Sequence, residues 1–195
     1  MSDDTVVRAF VAVEMPSTLR RGLSRTIEQL SLVVANKSVR WVREENIHLT
    51  LRFIGYVRTD AVESIHTALM HCVRNVRPFE LRPSRLGCFP GVRSPKVLWI
   101  GIDGAVESLN ALQDVVRTST QYWGKAEDKP FHPHLTLGRV TTSRRAELNA
   151  IGTALTQLEL PRFQSWRVDA IHLMQSQLAP GGSVHNALAT APLVP

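Results

Sequence analysis

The tetrapeptide HLTL occurs twice in this chain of 195 residues, at 48–51 within NIHLTLRFIG and at 134–137 within FHPHLTLGRV, although the chain has only seven histidines. At average residue usage a chance second copy is on the order of a one-in-a-hundred event, so the repeat is read as a duplicated unit. Polar and apolar residues alternate in both copies, which is the pattern of a strand with one buried face. A turn and a helical stretch follow each copy. The copies lie 86 residues apart with no low-complexity segment or long linker between them, which predicts two similar lobes packed as one unit over residues 1–195.

The flanking segments add strands and helices without a regular βαβ alternation. RAFVAVEMP reads as a buried strand that stops at Pro16. STLRRGLSRTIEQLSLVV reads as a helix capped by Ser17, with Leu19, Leu23, Ile27 and Leu30 on one stripe. VRWVREENIHLTLRFIGYV predicts one strand or a pair of strands around a turn-like EEN, and a second helix should begin near Thr59 or Asp60. FELRPSRLGCFPG and SPKVLWIGID predict two strands, AVESLNALQDVVRTSTQYW a helix, and SRRAELNAIGTALTQL another. FQSWRVDAIHLMQSQL and SVHNALATAPL predict two last strands across a PGG turn. The order implies an α+β fold of two pseudo-symmetric lobes, with mostly antiparallel sheets flanked by helices and a central cleft.

Strand geometry sorts the motif residues by face. His48, Thr50 and Arg52 should point one way, and Ile47, Leu49, Leu51 and Phe53 the other. In the second copy His134 and Thr136 share a face, with Leu135 and Leu137 behind them. Two such strands side by side would turn two imidazoles and two hydroxyls into one groove. Imidazole titrates near neutrality, so one ring can take a proton from an attacking oxygen at phosphorus while the other gives one to the leaving oxygen. The threonine hydroxyls can donate to the non-bridging phosphate oxygens. Arg139 can clamp the same oxygens, but five residues after His134 is the wrong parity, so a bulge or a side chain reaching round near Gly138 must bring it in. Arg52 is either a member of the groove or a solvated strand-edge group. His66, His71, His132, His172 and His185 lie outside the repeated setting and are not expected to be catalytic. A rival chemistry makes His132 and His134 metal ligands, but no carboxylate or cysteine cluster in the sequence completes a coordination shell; neither metal nor cofactor is expected.

Composition bears on the partner. The net charge is +6 and the pI about 10.0, which favours an anionic partner such as nucleic acid. Only four of the 23 basic residues are lysines; arginine grips phosphate with a planar fork, although a GC-rich genome would raise arginine equally. Cys72 and Cys88 have neither metal nor redox spacing. MSDDTVVRAF has neither the basic nor the apolar region of a signal peptide, and no apolar run approaches membrane-spanning length, so a cytoplasmic protein is expected.

NIHLTLRFIG and FHPHLTLGRV resemble the paired His-x-Thr-x signatures of the two-histidine (2H) phosphoesterases, in the RNA 2',3'-cyclic phosphodiesterase branch also called 2'-5' RNA ligases. RAFVAVEMP, VRWVREENIHLTL, LGCFPGVRSPKVLWIGI and LMQSQLAPGGSVH are similar to the same branch, so the resemblance covers nearly the whole chain. It implies hydrolysis of a terminal 2',3'-cyclic phosphate to a 2'-phosphate, with His48 and His134 as the acid–base pair, Thr50 and Thr136 on the phosphate and Arg139 beside them. Within that pair we assign His48 to the leaving 3' oxygen and His134 to water. It also implies RNA ends as partners, tRNA fragments among them, and 2'-5' joining as the reverse reaction; a monomer is expected, although no residue pattern bears on oligomeric state. A non-catalytic RNA-end-binding module and an esterase for a small cyclic nucleotide remain as alternatives. The chain departs from the branch at His185, where a tyrosine is usual.

Overall fold

The computed structural model describes residues 5–125, 129–179 and 182–194. Strand β1 (Val6–Val13) leads to helix α1 (Ser17–Val33), a short strand β2 (Val39–Trp41), a 3-10 turn at Glu44–Asn46 and strand β3 (Leu49–Arg58). Helix α2 (Val62–Val73), strands β4 (Phe79–Phe89) and β5 (Val97–Gly104), helix α3 (Val106–Ser119) and strand β6 (His134–Val140) follow. Helix α4 (Arg145–Gln157) then precedes β7 (Trp166–Val168), β8 (Ala170–Ala179) and β9 (Gly182–Pro192).

These strands form one sheet in the order β7-β4-β5-β6-β3-β1-β8-β9, with β2 paired to β6, and every pairing is antiparallel. The duplication is visible in the connectivity. The unit β1-α1-β3-α2 recurs as β5-α3-β6-α4, and a strand after each unit crosses to the outer side of the other: β4 lies beside β5, and β8 beside β1. The lobes are therefore interleaved along the chain, and the two HLTL strands meet at the middle of the sheet. Asp169 alone separates β7 from β8, which sit near opposite ends of the strand order. Because one residue spans only about 3.5 Å, the sheet must curl back on itself.

The α1 stripe predicted from periodicity, Leu19, Leu23, Ile27 and Leu30, is buried. Periodicity also predicts stripes of Val62, Ile65, Leu69 and Cys72 on α2, Val106, Leu109, Leu112 and Val116 on α3, and Leu148, Ile151 and Leu155 on α4; of these Val62, Cys72, Val106 and Leu148 are half-buried and the rest are buried. The buried stripe residues join alternate strand residues in one continuous apolar core. A small separate cluster, Phe10, Ala12 and Met174, lies on the opposite face of the sheet. Two local expectations change. Ser17 is the first helical residue and Pro16 holds the cap position without a side-chain bond. FQSWRVDAIHLMQSQL is two strands rather than one, because the chain must leave β4 at Asp169 to reach β1. Residues 180 and 181 of the expected PGG turn lie outside the described residues.

Candidate active site

Leu49 and Leu135 are ladder partners, so β3 and β6 run side by side at their HLTL segments. One step either way in this antiparallel register sets His48 opposite Thr136 and Thr50 opposite His134, all on one face. The alternate residues Leu49, Leu51, Leu135 and Leu137 are at most 2% exposed and anchor the pair to the helix-side core. Packing of the leucines is what aims the polar set away from the core.

The last leucine of each copy is a bulge. On β3, Thr50 faces Ala12 and Arg52 faces Val11, which leaves Leu51 as the extra residue; on β6, Thr136 faces Trp99 and Gly138 faces Leu98, which leaves Leu137 extra. A bulge reverses the parity of everything beyond it. Arg139 therefore returns to the histidine face, where its charge reaches His134. The same reversal moves Arg52 out of the groove in which plain alternation placed it. Arg52 is 2% exposed and donates through Nη1 to the Arg117 carbonyl and Thr120 Oγ1, both at 2.6 Å, and through Nη2 to the Trp123 carbonyl at 3.1 Å. Phe53, assigned by alternation to the packing side, is 54% exposed and lies 6.1 Å from Phe10, centroid to centroid. Arg52 is thus neither a groove residue nor a solvated one: it ties β3 to the end of α3.

Both catalytic candidates are held in the same tautomer. His48 Nδ1 lies 2.7 Å from the Asn46 carbonyl and His134 Nδ1 lies 2.6 Å from the His132 carbonyl. A carbonyl oxygen can only accept, so Nδ1 carries the hydrogen in each ring and Nε2 is the nitrogen that exchanges protons. Burial, the His185 ring and, to a smaller degree, His134 hold His48 down to about 4, against the opposing bond to Asn46. Burial also lowers His134, with contributions from His132 and Arg139. Both imidazoles are therefore predominantly neutral at pH 7.

Aromatic neighbours position the rings. His48 sits 4.8 Å from Phe10 and 5.0 Å from His185, the latter edge-on; His134 sits 5.1 Å from Phe89, also edge-on, and 6.3 Å from Trp99. None of these neighbours was read from the sequence as a site residue. Phe10 is in register with the HLTL face of β1, but its place in an apolar strand looks like core. Gly87 leaves room for Trp99, since a Cβ there would lie 2.2 Å from the indole. Asn46 is a second omission: its carbonyl fixes His48 while its side-chain amide donates to the Ser183 carbonyl at 2.6 Å, linking the His48 turn to β9 two residues from His185. His185, not expected to be catalytic and standing where the branch usually has a tyrosine, packs against both Phe10 and His48. Among the described residues no group of three or more His, Cys, Asp and Glu side chains is placed to hold a metal.

The 2'-5' RNA ligase superfamily model matches residues 19–179, most of the chain and both HLTL strands. The chain belongs to the 2'-5' RNA ligase superfamily. Within it, the chain is 31% identical over 179 residues to an RNA 2',3'-cyclic phosphodiesterase of Methanothermobacter thermautotrophicus, covering 92% of this chain and 95% of that protein. It is 30% identical over 186 residues to an RNA 2',3'-cyclic phosphodiesterase of Aquifex aeolicus, with 94% and 95% covered. Among solved structures the crystal structure of Escherichia coli LigT with 3'-AMP shares the superfamily fold, with a TM-score of 0.76 at 23% identity over 98% of this chain and all of that one. A crystal structure from Thermus thermophilus matches with the same TM-score at 24% identity, covering 95% and 97%. No helix among the described residues is long and apolar enough to cross a membrane.

Proposed function

We propose that this member of the superfamily hydrolyses a terminal 2',3'-cyclic phosphate on RNA to a 2'-phosphate, by acid–base catalysis between His48 and His134. The observation that carries this reading is the mirrored Nδ1–H bond, to Asn46 on one strand and His132 on the other, which leaves two Nε2 atoms to work on one face. The names of the relatives in Methanothermobacter and Aquifex support the substrate.

His134 Nε2 takes a proton from water as its oxygen bonds to phosphorus. The bond from phosphorus to the 3' oxygen breaks, and His48 Nε2 supplies the proton that oxygen needs. Thr50 and Thr136 donate to the non-bridging oxygens, where charge collects in the transition state, and Arg139 offsets that charge from beyond the bulge. His48 begins neutral and must be protonated to serve as the acid. The phosphodiester anion supplies the drive, because a negative charge beside Nε2 favours the imidazolium. With a 5' hydroxyl in place of water, the same displacement opens the ring at the 3' oxygen and joins the two ends through a 2'-5' bond. RNA ends, tRNA fragments included, are the partners in this reading, and the chain acts as a monomer in the cytoplasm.

The test is incubation with an oligoribonucleotide ending in 2',3'-cyclic phosphate, in EDTA, followed by identification of the phosphate isomer. The expected product is the 2'-phosphate. Tight, salt-sensitive binding with an unchanged end after hours would instead identify an RNA-end-binding module, and turnover confined to small cyclic nucleotides would identify a different esterase.

A further inference from the structure

The two histidine rings are aimed by the same kind of bond but by different supports. In the second copy the carbonyl that holds His134 Nδ1 belongs to His132, and the residue between them is Pro133. A proline ring fixes its own φ and drives the residue before it into the extended region, so the His132 carbonyl is aimed by covalent structure. In the first copy Ile47 stands where Pro133 does, and the Asn46 carbonyl has no such constraint. It comes instead from the three-residue 3-10 turn Glu44–Asn46, closed by Asn46 N to the Arg43 carbonyl at 2.9 Å and by Ile47 N to the Glu44 carbonyl at 3.2 Å, with no side-chain cap. Bonding in a 3-10 turn is less well aligned than in an α-helix. The Asn46 side chain adds a long-range tie, since its Nδ2 donates to the Ser183 carbonyl at 2.6 Å. Ser183 lies on β9 opposite Leu178 of β8, and His185, two residues on, sits edge-on to His48 at 5.0 Å.

We propose that Asn46 acts through its side chain as a positioning residue for His48: the bond to β9 fixes both the carbonyl that holds Nδ1 and the His185 ring packed against the imidazole. Asn46 thus does for the leaving-group side of the cleft what Pro133 does for the water side. For its effect on turnover this role rests on the cyclic phosphodiesterase reading above. The bond serves the acid step before and after the proton moves. Before transfer the imidazolium carries hydrogen on both nitrogens, and Nδ1–H on the Asn46 carbonyl turns Nε2 towards the cleft. Once Nε2 has given its proton to the 3' oxygen, the neutral ring that remains is the Nδ1–H tautomer, which the same carbonyl stabilises. Without the amide bond the Asn46 peptide is free to rotate, and the ring loses both its aim and its preference between tautomers.

The experiment joins ring-nitrogen NMR at pH 7 to kinetics on cyclic-phosphate-ended RNA. In the unaltered protein both His48 and His134 should read as the Nδ1–H tautomer. In Asn46→Ala, His48 should become a mixture of the two tautomers while His134 stays as it was. In the same variant kcat should fall about 10- to 100-fold, as for a group that is misaimed rather than missing, with KM little changed. Asn46→Gln, which keeps the amide on a longer stem, should recover part of the loss. Pro133→Ala should do the reverse, freeing His134 and leaving His48 fixed. An unchanged tautomer at His48 in Asn46→Ala, equal changes at both rings, or a loss confined to KM would overturn the positioning role. If Asn46→Ala does not fold, Asn46→Gln is read in its place: a smaller change at His48 alone is expected, and an unmoved His48 refutes the role. If the unaltered protein leaves the cyclic end intact, the functional reading fails by itself, and the tautomer of His48 in Asn46→Ala still decides whether the side chain positions the ring.

Discussion

The two HLTL strands agree up to their last leucine and diverge immediately after it. Both present histidine and threonine on one face, both lock Nδ1 to the carbonyl two residues back, and both bulge at the fourth residue, Leu51 or Leu137. Beyond the bulge the first copy has Arg52 buried against α3 and Phe53 on the cleft face; the second has Gly138 beneath Trp41 and Arg139 on the cleft face. The shared part is what acid–base chemistry at one phosphorus needs from both sides. The divergent part gives one strand an anchor and an aromatic surface, and gives the other a close-packed backbone and a charge. The repeated strand is alike on its histidine face and differs in the residues that support it.

The symmetric part is tested by the largest effect. His48→Ala and His134→Ala should each lower kcat/KM on cyclic-phosphate-ended RNA by about two to four orders of magnitude, the usual cost of a lost acid or base. Because the rings work as a pair, the double variant should be little worse than either single one. A single variant near the unaltered rate would break the comparison at its root, whichever strand it fell on.

The anchor on the first strand comes next. Arg52→Met fills a similar length but leaves the Arg117 and Trp123 carbonyls and Thr120 Oγ1 without their donor. Hydrogen bonds to charged groups contribute roughly 1.5–3 kcal/mol each in isolation, and the set should cost about 3 kcal/mol of unfolding free energy. Urea denaturation reads this directly. The corresponding glycine on the second strand has no such bonds to lose, so a near-neutral Arg52→Met would mean that the bulge, and not the arginine, fixes β3 on α3.

Alternation made the histidine and threonine faces, the four leucines and the helix stripes legible, because each depends on residues within one element. The bulges were not legible in the same way. A bulge shows in sequence only as a parity conflict, and at Arg139 the conflict was visible because a role was sought for that residue. At Arg52 no role exposed it, so plain alternation placed a buried cation in the cleft and an exposed phenylalanine in the core. Long-range exchange was equally hidden. Nothing within FQSWRVDAIHLMQSQL says that three residues pair with β4 and the next ten with β1 and β9. His185 belongs to the same class: its contact with His48 exists because β9 is held to the Asn46 turn across 137 positions.

That contact gives the smallest expected effect and the sharpest difference between the two imidazoles. His48 has a second imidazole, His185, edge-on at 5.0 Å, with Arg8 in turn acting on His185; His134 has Phe89 in the edge-on position, with His132 and Arg139 as its charged neighbours. His185→Phe keeps a ring in place and removes the charge. Burial, the largest cause of the depression, remains, so His48 should rise only part of the way from about 4 towards 6.5. A positive charge on His185 disfavours a second one on His48, so its removal raises His48 while burial still holds it down. Ring titration by NMR should show the shift at His48 and almost none at His134. The sign carries through to stability. A histidine depressed in the folded protein binds its proton more tightly when unfolded, so its contribution is full above pH 6.5 and falls as the pH drops towards 4. His185→Phe narrows that gap and should make the protein lose less stability over the same acid range. Equal movement at both histidines, or at neither, would mean that burial alone sets their difference and that the two strands are electrostatically as alike as their four shared letters.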